Sequence, residues 1–219
     1  VRIDLSGKGF IEIAAPVMDP VEQIMRMFEA HFEAEMGWDQ KPLYFMLFRN
    51  GDGIGANTLS LPGPLYVDPS LWLPLLAQLV GQDDDHVENP LQGPLGKLTK
   101  SLIKDQLPPA EFHFYGIGAL HEGWMAYGLG EDEAQAIANG TALSPSQRPD
   151  RVEVRMVHVV TTDGRFMSLT RQRGGVPELM EAEPSIDENG ESAMGPMAVG
   201  RMPSALRLLC DGVERLASA

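Results

Sequence analysis

The sequence predicts an α+β domain: a mainly antiparallel sheet of about four to five strands, with helices packed on one face. Two observations carry this. Residues 151–175, RVEVRMVHVVTTDGRFMSLTRQRGG, alternate on either side of Asp163-Gly164 and read as a β-hairpin. Helical spacing comes early in the chain and the hairpin late, which argues against a repeating βαβ order. The expected strands are 43–48, 112–121, 152–160 and 165–173, and the covering helices lie near 19–36, 68–80 and 97–107.

Taken in order, residues 11–13 suit a short strand. Asp19-Pro20 with Glu22 then gives a cap, a proline in the first turn and a carboxylate near the helix start. Val21, Ile24, Met25, Phe28, Phe32 and Met36 follow at helical spacing, and Gly37 is a natural stop. His31 flanks this stripe. Leu43 to Phe48 is a short apolar run of the kind a buried strand shows. Gly51, Gly53 and Gly55 read as a flexible loop. They lack the GK[ST] ending of a phosphate loop, and Leu61-Pro62-Gly63-Pro64 breaks the helix a dinucleotide fingerprint needs.

Asp68-Pro69 repeats the cap-then-proline start, and Leu71, Trp72, Leu75, Leu76, Leu79 and Val80 give a helix its apolar face. Asp83-Asp84-Asp85-His86 carries ligand types for a divalent cation, without the spacing of an EF-hand, and reads as an exposed loop. Leu98, Leu102 and Ile103 mark a short amphipathic helix.

In EFHFYGIGALHEGWMAYG, alternation puts Phe112, Phe114, Gly116, Gly118, Leu120, Glu122 and Trp124 on one face. Glu122 is the odd member of an apolar run, and a buried carboxylate needs an opposite charge. In the hairpin, Val152, Val154, Met156, His158 and Val160 share a face, with Arg151, Glu153 and Arg155 on the other. A two- or four-residue loop places Met167, Leu169, Arg171 and Arg173 with Met156 and His158; a three-residue loop reverses this. A pair between Glu122 and Arg171 or Arg173 follows if the strands share a sheet.

The candidate ligand-binding residues are therefore Glu122, Trp124, Arg155, Arg171 and Arg173, because arginine forks suit carboxylate or phosphate. No catalytic residue, cofactor or metal ligand is expected. His113 and His121 lie roughly 26 Å apart on a straight strand and cannot share a metal. The single cysteine, Cys210, sits on a helical apolar face with Leu206, Leu209, Val213 and Leu216, where a buried structural thiol is the default.

The expected organisation is one domain over 1–175, a partly disordered arm over 176–200 and a C-terminal helix over 201–219. A helix on such an arm finds either its own core or a neighbour, so a two-fold dimer is expected. With 17 basic against 31 acidic residues the net charge is −14, which argues against nucleic-acid binding. It leaves room for an acidic surface meeting a basic partner. No apolar run approaches a membrane span, and the lone cysteine fits a cytoplasmic protein.

Trp38, Asp39, Pro42, Leu43 and Tyr44, then Glu122, Gly123 and Trp124, carry a resemblance. So do Pro149, Asp150, Arg151, Glu153, Arg155, Asp163, Gly164, Arg171, Arg173 and Gly174. They form WDxxPxLY, EGW and PDRxExR…DG…RxRGG segments. Over about residues 37–175 the chain resembles a family of uncharacterised actinobacterial and actinophage proteins. The resemblance implies a shared fold and a mobile-element origin, and brings no activity. The functional expectation is a non-enzymatic accessory or protein-interaction protein. The alternative is an enzyme or small-anion binder using Glu122, Trp124 and the hairpin arginines.

Overall fold

The computed structural model describes residues 18–51, 53–60, 80, 92–109, 111–126, 128–138, 141–182, 184–186, 192–194 and 201–218. The expected strand at 11–13, the loop at 83–86 and all but Val80 of the expected helix at 68–80 lie outside them. The fold is α+β with an antiparallel sheet. The strands are β1 (Leu43–Asn50), β2 (Gly53–Leu59), β3 (His113–Met125), β4 (Val152–Thr161), β5 (Phe166–Gln172) and β6 (Glu178–Ala182). They form a six-stranded sheet in the order β2-β1-β3-β4-β5-β6. A separate two-stranded ladder joins β7 (Pro184–Ile186) and β8 (Ser192–Met194).

The strand number exceeds expectation for two reasons. The glycine segment after β1 is not a loop: β2 begins at Gly53 and runs back along β1, with Asn50 opposite Gly53 and Tyr44 opposite Leu59. The segment expected to be a partly disordered arm supplies β6, where Leu179 pairs with Leu169 and Ala182 with Phe166.

The helices that lie wholly among the described residues are α1 (Pro20–His31), α2 (Gln92–Lys104), α3 (Glu131–Ala138) and α4 (Arg201–Ser218). They do not share a face. The side chains of Val21, Ile24, Met25 and Phe28 from α1 bury against Phe45, Leu47, Leu120, Val157 and Leu169. On the opposite face Ile103 of α2 and Leu206, Leu209, Cys210 and Val213 of α4 bury against Met46, Phe48, Ile117 and Val160. A central strand with apolar residues on both pleat faces needs cover on both sides, and β4 alone contributes Val157 and Val159 to one core and Val160 to the other.

The α4 stripe expected to seek a neighbour is thus part of this domain's own core.

Helix α1 starts as the sequence dictates. Asp19 caps it by accepting from Val21 N at 2.8 Å and Glu22 N at 3.3 Å, with Pro20 in the first turn. It passes into a π-helical turn, Phe32–Met36, closed by Gly37 N donating to Phe32 O at 2.8 Å. Phe28 stacks on Phe45 at 4.5 Å between centroids. Phe45 occupies the space beside Gly118, where a Cβ would stand 2.1 Å from the ring.

The β4–β5 register decides the site. Val160 pairs with Phe166, Val157 with Leu169 and Arg155 with Arg171. The loop therefore holds Thr162, Asp163 and Gly164, the three-residue case. Thr161 N donates to Arg165 O at 3.1 Å and Gly164 N to Thr161 O at 3.0 Å, with Gly164 at φ 89°. This is a turn followed by a left-handed glycine bulge. Asp163 accepts from the Thr161 hydroxyl and, at 3.1 Å, from Tyr115 Oη, which ties the turn to β3. The register reverses the two-residue expectation: Met167, Leu169 and Arg171 lie with Arg155 and Val157 under α1, not with Met156 and His158.

Candidate arginine–carboxylate site

Three cross-strand rows lead from the core to the end of the sheet under α1. Leu120 pairs with Val157 and Val157 with Leu169, an apolar row. Glu122 pairs with Arg155 and Arg155 with Arg171, a charged row. Trp124 pairs with Glu153, whose carbonyl oxygen accepts from Arg173 N at 3.1 Å. All five predicted site residues therefore lie in two adjacent rows. Their individual partners differ from those expected.

Arg155 is fully buried, although its residue type is seldom found there without a counter-charge. Its Nε and Nη2 donate to Glu122 Oε1 at 3.1 and 2.9 Å. Its Nη1 donates to Glu33 Oε2 at 3.0 Å and lies 3.6 Å from Glu29 Oε1. Its Nη2 also donates to the Gly37 carbonyl. The guanidinium plane sits 4.5 Å from the Trp38 ring centroid, close enough for cation–π attraction. Glu122 does pair with a hairpin arginine, but with Arg155 directly opposite, not with Arg171 or Arg173. Its second oxygen accepts from Asp39 N at 2.6 Å and Gln40 N at 3.0 Å. Glu122 thereby ties the loop that follows the π-turn to the sheet.

Arg171 turns to α1. Its Nη2 donates to Glu29 Oε2 at 2.8 Å, and its Nη1 to the Gly175 carbonyl at 3.0 Å. Its Nε lies 2.6 Å from Glu29 Oε1, an ion-pair contact without hydrogen-bond alignment. Glu29, 1 % exposed, therefore bridges Arg171 and Arg155. Arg173 is more exposed: its Nη1 donates to Glu153 at 2.6 Å, its Nη2 lies 3.8 Å from Asp39, and it covers Trp38 at 5.3 Å. These neighbours, Glu153 first, raise its pKa above the usual arginine value. Trp38 is thus flanked by two guanidiniums. Trp124 stands at the rim, 43 % exposed, with the Arg151 guanidinium 4.7 Å from its ring.

Glu29 and Glu33 escaped the sequence reading, and Trp38 entered it through the resemblance and not as a candidate site residue. Glu29 had a signal. It is one turn from Met25 and three residues before Phe32, so it interrupts the apolar stripe of α1 as Glu122 interrupts that of β3. Two carboxylates in the apolar faces of different elements mark where a buried cation belongs. Glu33 had none, since its position depends on the π-turn.

In all, three guanidiniums (Arg155, Arg171, Arg173) face five carboxylates (Glu29, Glu33, Asp39, Glu122, Glu153). Counted formally, the carboxylates of the cluster outnumber its guanidiniums by two. Among the described residues no group of three or more His, Cys, Asp or Glu side chains is arranged to hold a metal ion. His121 and His158 lie on the other face, their ring centroids 5.3 Å apart. Burial, and then His121, lower the His158 pKa to about 3. The Cys210 thiol is pushed up to about 12 by burial and then by Asp211, which leaves it protonated and unreactive at neutral pH. No described helix is long and apolar enough to cross a membrane. Compared with known proteins, the chain matches no family model, no curated protein and no solved structure.

Proposed function

We propose that this chain is a non-enzymatic accessory or protein-interaction protein of the cytoplasm, and that its arginine–carboxylate cluster is a structural clamp. The enclosure of Arg155 carries the reading. Its side chain is fully buried among Glu122, Glu33, Glu29, the Gly37 carbonyl and the Trp38 ring; four of its five N–H donors are hydrogen-bonded and Nη1 also lies 3.6 Å from Glu29 Oε1, which leaves little room for an incoming carboxylate or phosphate. The clamp holds α1, the loop after it and the sheet in one arrangement. What it leaves outside is Trp124 stacked with Arg151, which has no carboxylate partner among the described residues. Tryptophan and arginine are the side chains that most often anchor protein interfaces. The WDxxPxLY, EGW and RxRGG resemblance supports a phage-borne role against a host protein.

Two measurements test this. Phosphate, citrate and nucleotide added to millimolar levels are expected to give no saturable rise in melting temperature. A saturable rise abolished in Arg155→Lys would establish the anion-binding alternative instead. Affinity purification from the encoding cells is expected to retain a partner on the native chain and lose it on Trp124→Ala.

A further inference from the structure

At the opposite end of β3 from Trp124, a groove of about 420 Å³ opens between the last turn of α4 and the chain entering β3. Leu107, Phe112 and Phe114 form its apolar wall, and Glu214, His113 and Ser218 bring polar groups to it. Phe114 is held in place by edge-on packing against the core residue Phe48, at 6.2 Å between centroids. Three features of this groove favour positive charge. Glu214 has no ion-pair partner among the described residues, whereas Asp211, one turn earlier, is engaged by Arg207 at 3.2 Å. The C-terminal end of α4 carries the negative pole of the helix, and α2 ends three residues before Leu107. The aromatic ring of Phe114 attracts cations through its quadrupole. The net charge of −14 adds long-range attraction of the same sign.

We infer that this groove docks a lysine side chain of a protein partner, its methylene stem along Leu107, Phe112 and Phe114 and its ammonium on Glu214. The inference rests on the reading of the chain as an interaction protein. It commits to a side chain because the groove is open to the surface and holds more volume than one alkylammonium fills, leaving space for the flanking backbone. Aliphatic stem and charged tip are the two halves of lysine, and the groove offers a separate surface to each.

The test is an amide NMR titration of the full chain with a capped peptide of one lysine between glycines. Saturable shifts are expected at Phe112, His113, Phe114 and Ser218, and the same peptide acetylated on its lysine should give none. Glu214→Gln, a surface change that leaves the core intact, should weaken binding by about two- to fivefold, the range of an exposed ion pair. Equal binding of the acetylated peptide, or no effect of Glu214→Gln, would overturn the proposal. So would n-butylamine binding as tightly as the peptide, which would make this a site for free amines. None of these results bears on the anion titration at Arg155, so failure here and failure of the interaction reading are separable.

Discussion

Arg155 shows how one side chain can set the limit of a core. It is surrounded by Glu29, Glu33 and Glu122, and removing it would leave these carboxylates facing one another with no cation between them. Arg155→Met is expected to cost about 3–5 kcal/mol in urea unfolding, the usual penalty for stranding buried charge. Arg155→Lys should recover only part of this, since an ammonium cannot fork to Glu122 while reaching Glu33 and stacking on Trp38. A lysine variant as stable as the native chain would show that only the charge matters. The sequence disclosed half of this cluster. Glu122 was legible because it breaks an alternating run, and Arg155 because it lies in the hairpin. That the two are partners was not, because it depends on the register between β3 and β4, two strands joined by a long connection. His158 supports a second residue-scale prediction. Its folded pKa is lowered by burial to about 3, so between pH 6.5 and 3 the unfolded chain takes up a proton that the folded chain does not. Stability is therefore lost as pH falls through that window, with a slope approaching 1.4 kcal/mol per pH unit, an order-of-magnitude figure from linkage. Asp163 is also depressed, by hydrogen bonds from Thr161 and Tyr115 that outweigh its desolvation, but its contribution is lost only below the ordinary aspartate value of 3.8. Between pH 4 and 6 the slope should thus be smaller in His158→Phe than in the native chain, and equal slopes would remove His158 as the cause.

At the scale of elements, the turn between β4 and β5 carries the most information per residue. Parity within each strand is fixed by the pleat, but the relation between two strands depends on the loop between them, and Asp163-Gly164 suits loops of two, three or four residues equally well on composition. The deciding groups are the Thr161 amide and hydroxyl and the Tyr115 hydroxyl, and Tyr115 is more than forty residues upstream. Gly164 at φ 89° makes the three-residue form possible. Gly164→Ala is expected to destabilise by about 1–2 kcal/mol, with Gly164→Asn milder, because only glycine and to a lesser degree asparagine tolerate that region. Alanine at no cost would mean the turn adopts another register. A similar non-local device explains why parity fails early in β3. Leu47 pairs with Gly116 but Phe48 with Phe114, so Tyr115 is an extra residue and drops onto the α1 face while Phe114 stays on the other. By contrast the α1 start and the approximate positions of β1, β3, β4 and β5 were legible, because a cap, a proline and short-period alternation are local signals.

For the whole molecule, the decisive question is what the last helix does. Its apolar stripe predicted that it must bury something, and the long connection before it left open whether the cover came from this domain or another copy. The answer follows from the sheet. Met46, Phe48, Ile117 and Val160 form an apolar face that α1 cannot reach, and α4 lies on it with Leu206, Leu209, Cys210 and Val213 fully buried. Leu206, Leu209 and Val213 alone correspond to roughly 5–9 kcal/mol of burial at about 1.5–3 kcal/mol each. That is comparable to the whole net stability of a typical domain, about 5–15 kcal/mol. A chain ending at Gly200 should therefore lose its cooperative thermal transition and associate through the exposed sheet face, whereas the full chain should keep both its transition and a buried thiol. Cys210 reports on the same event. Its Sγ lies 3.8 Å from the Val160 carbonyl, and its protonated, enclosed thiol can meet an aromatic disulfide reagent only when α4 leaves the sheet. The labelling rate in native buffer should then be slow and rise with urea in parallel with the loss of far-ultraviolet circular dichroism. Fast labelling at zero denaturant, or a chain ending at Gly200 that still melts cooperatively, would show α4 to be an appendage and not the second wall of the core.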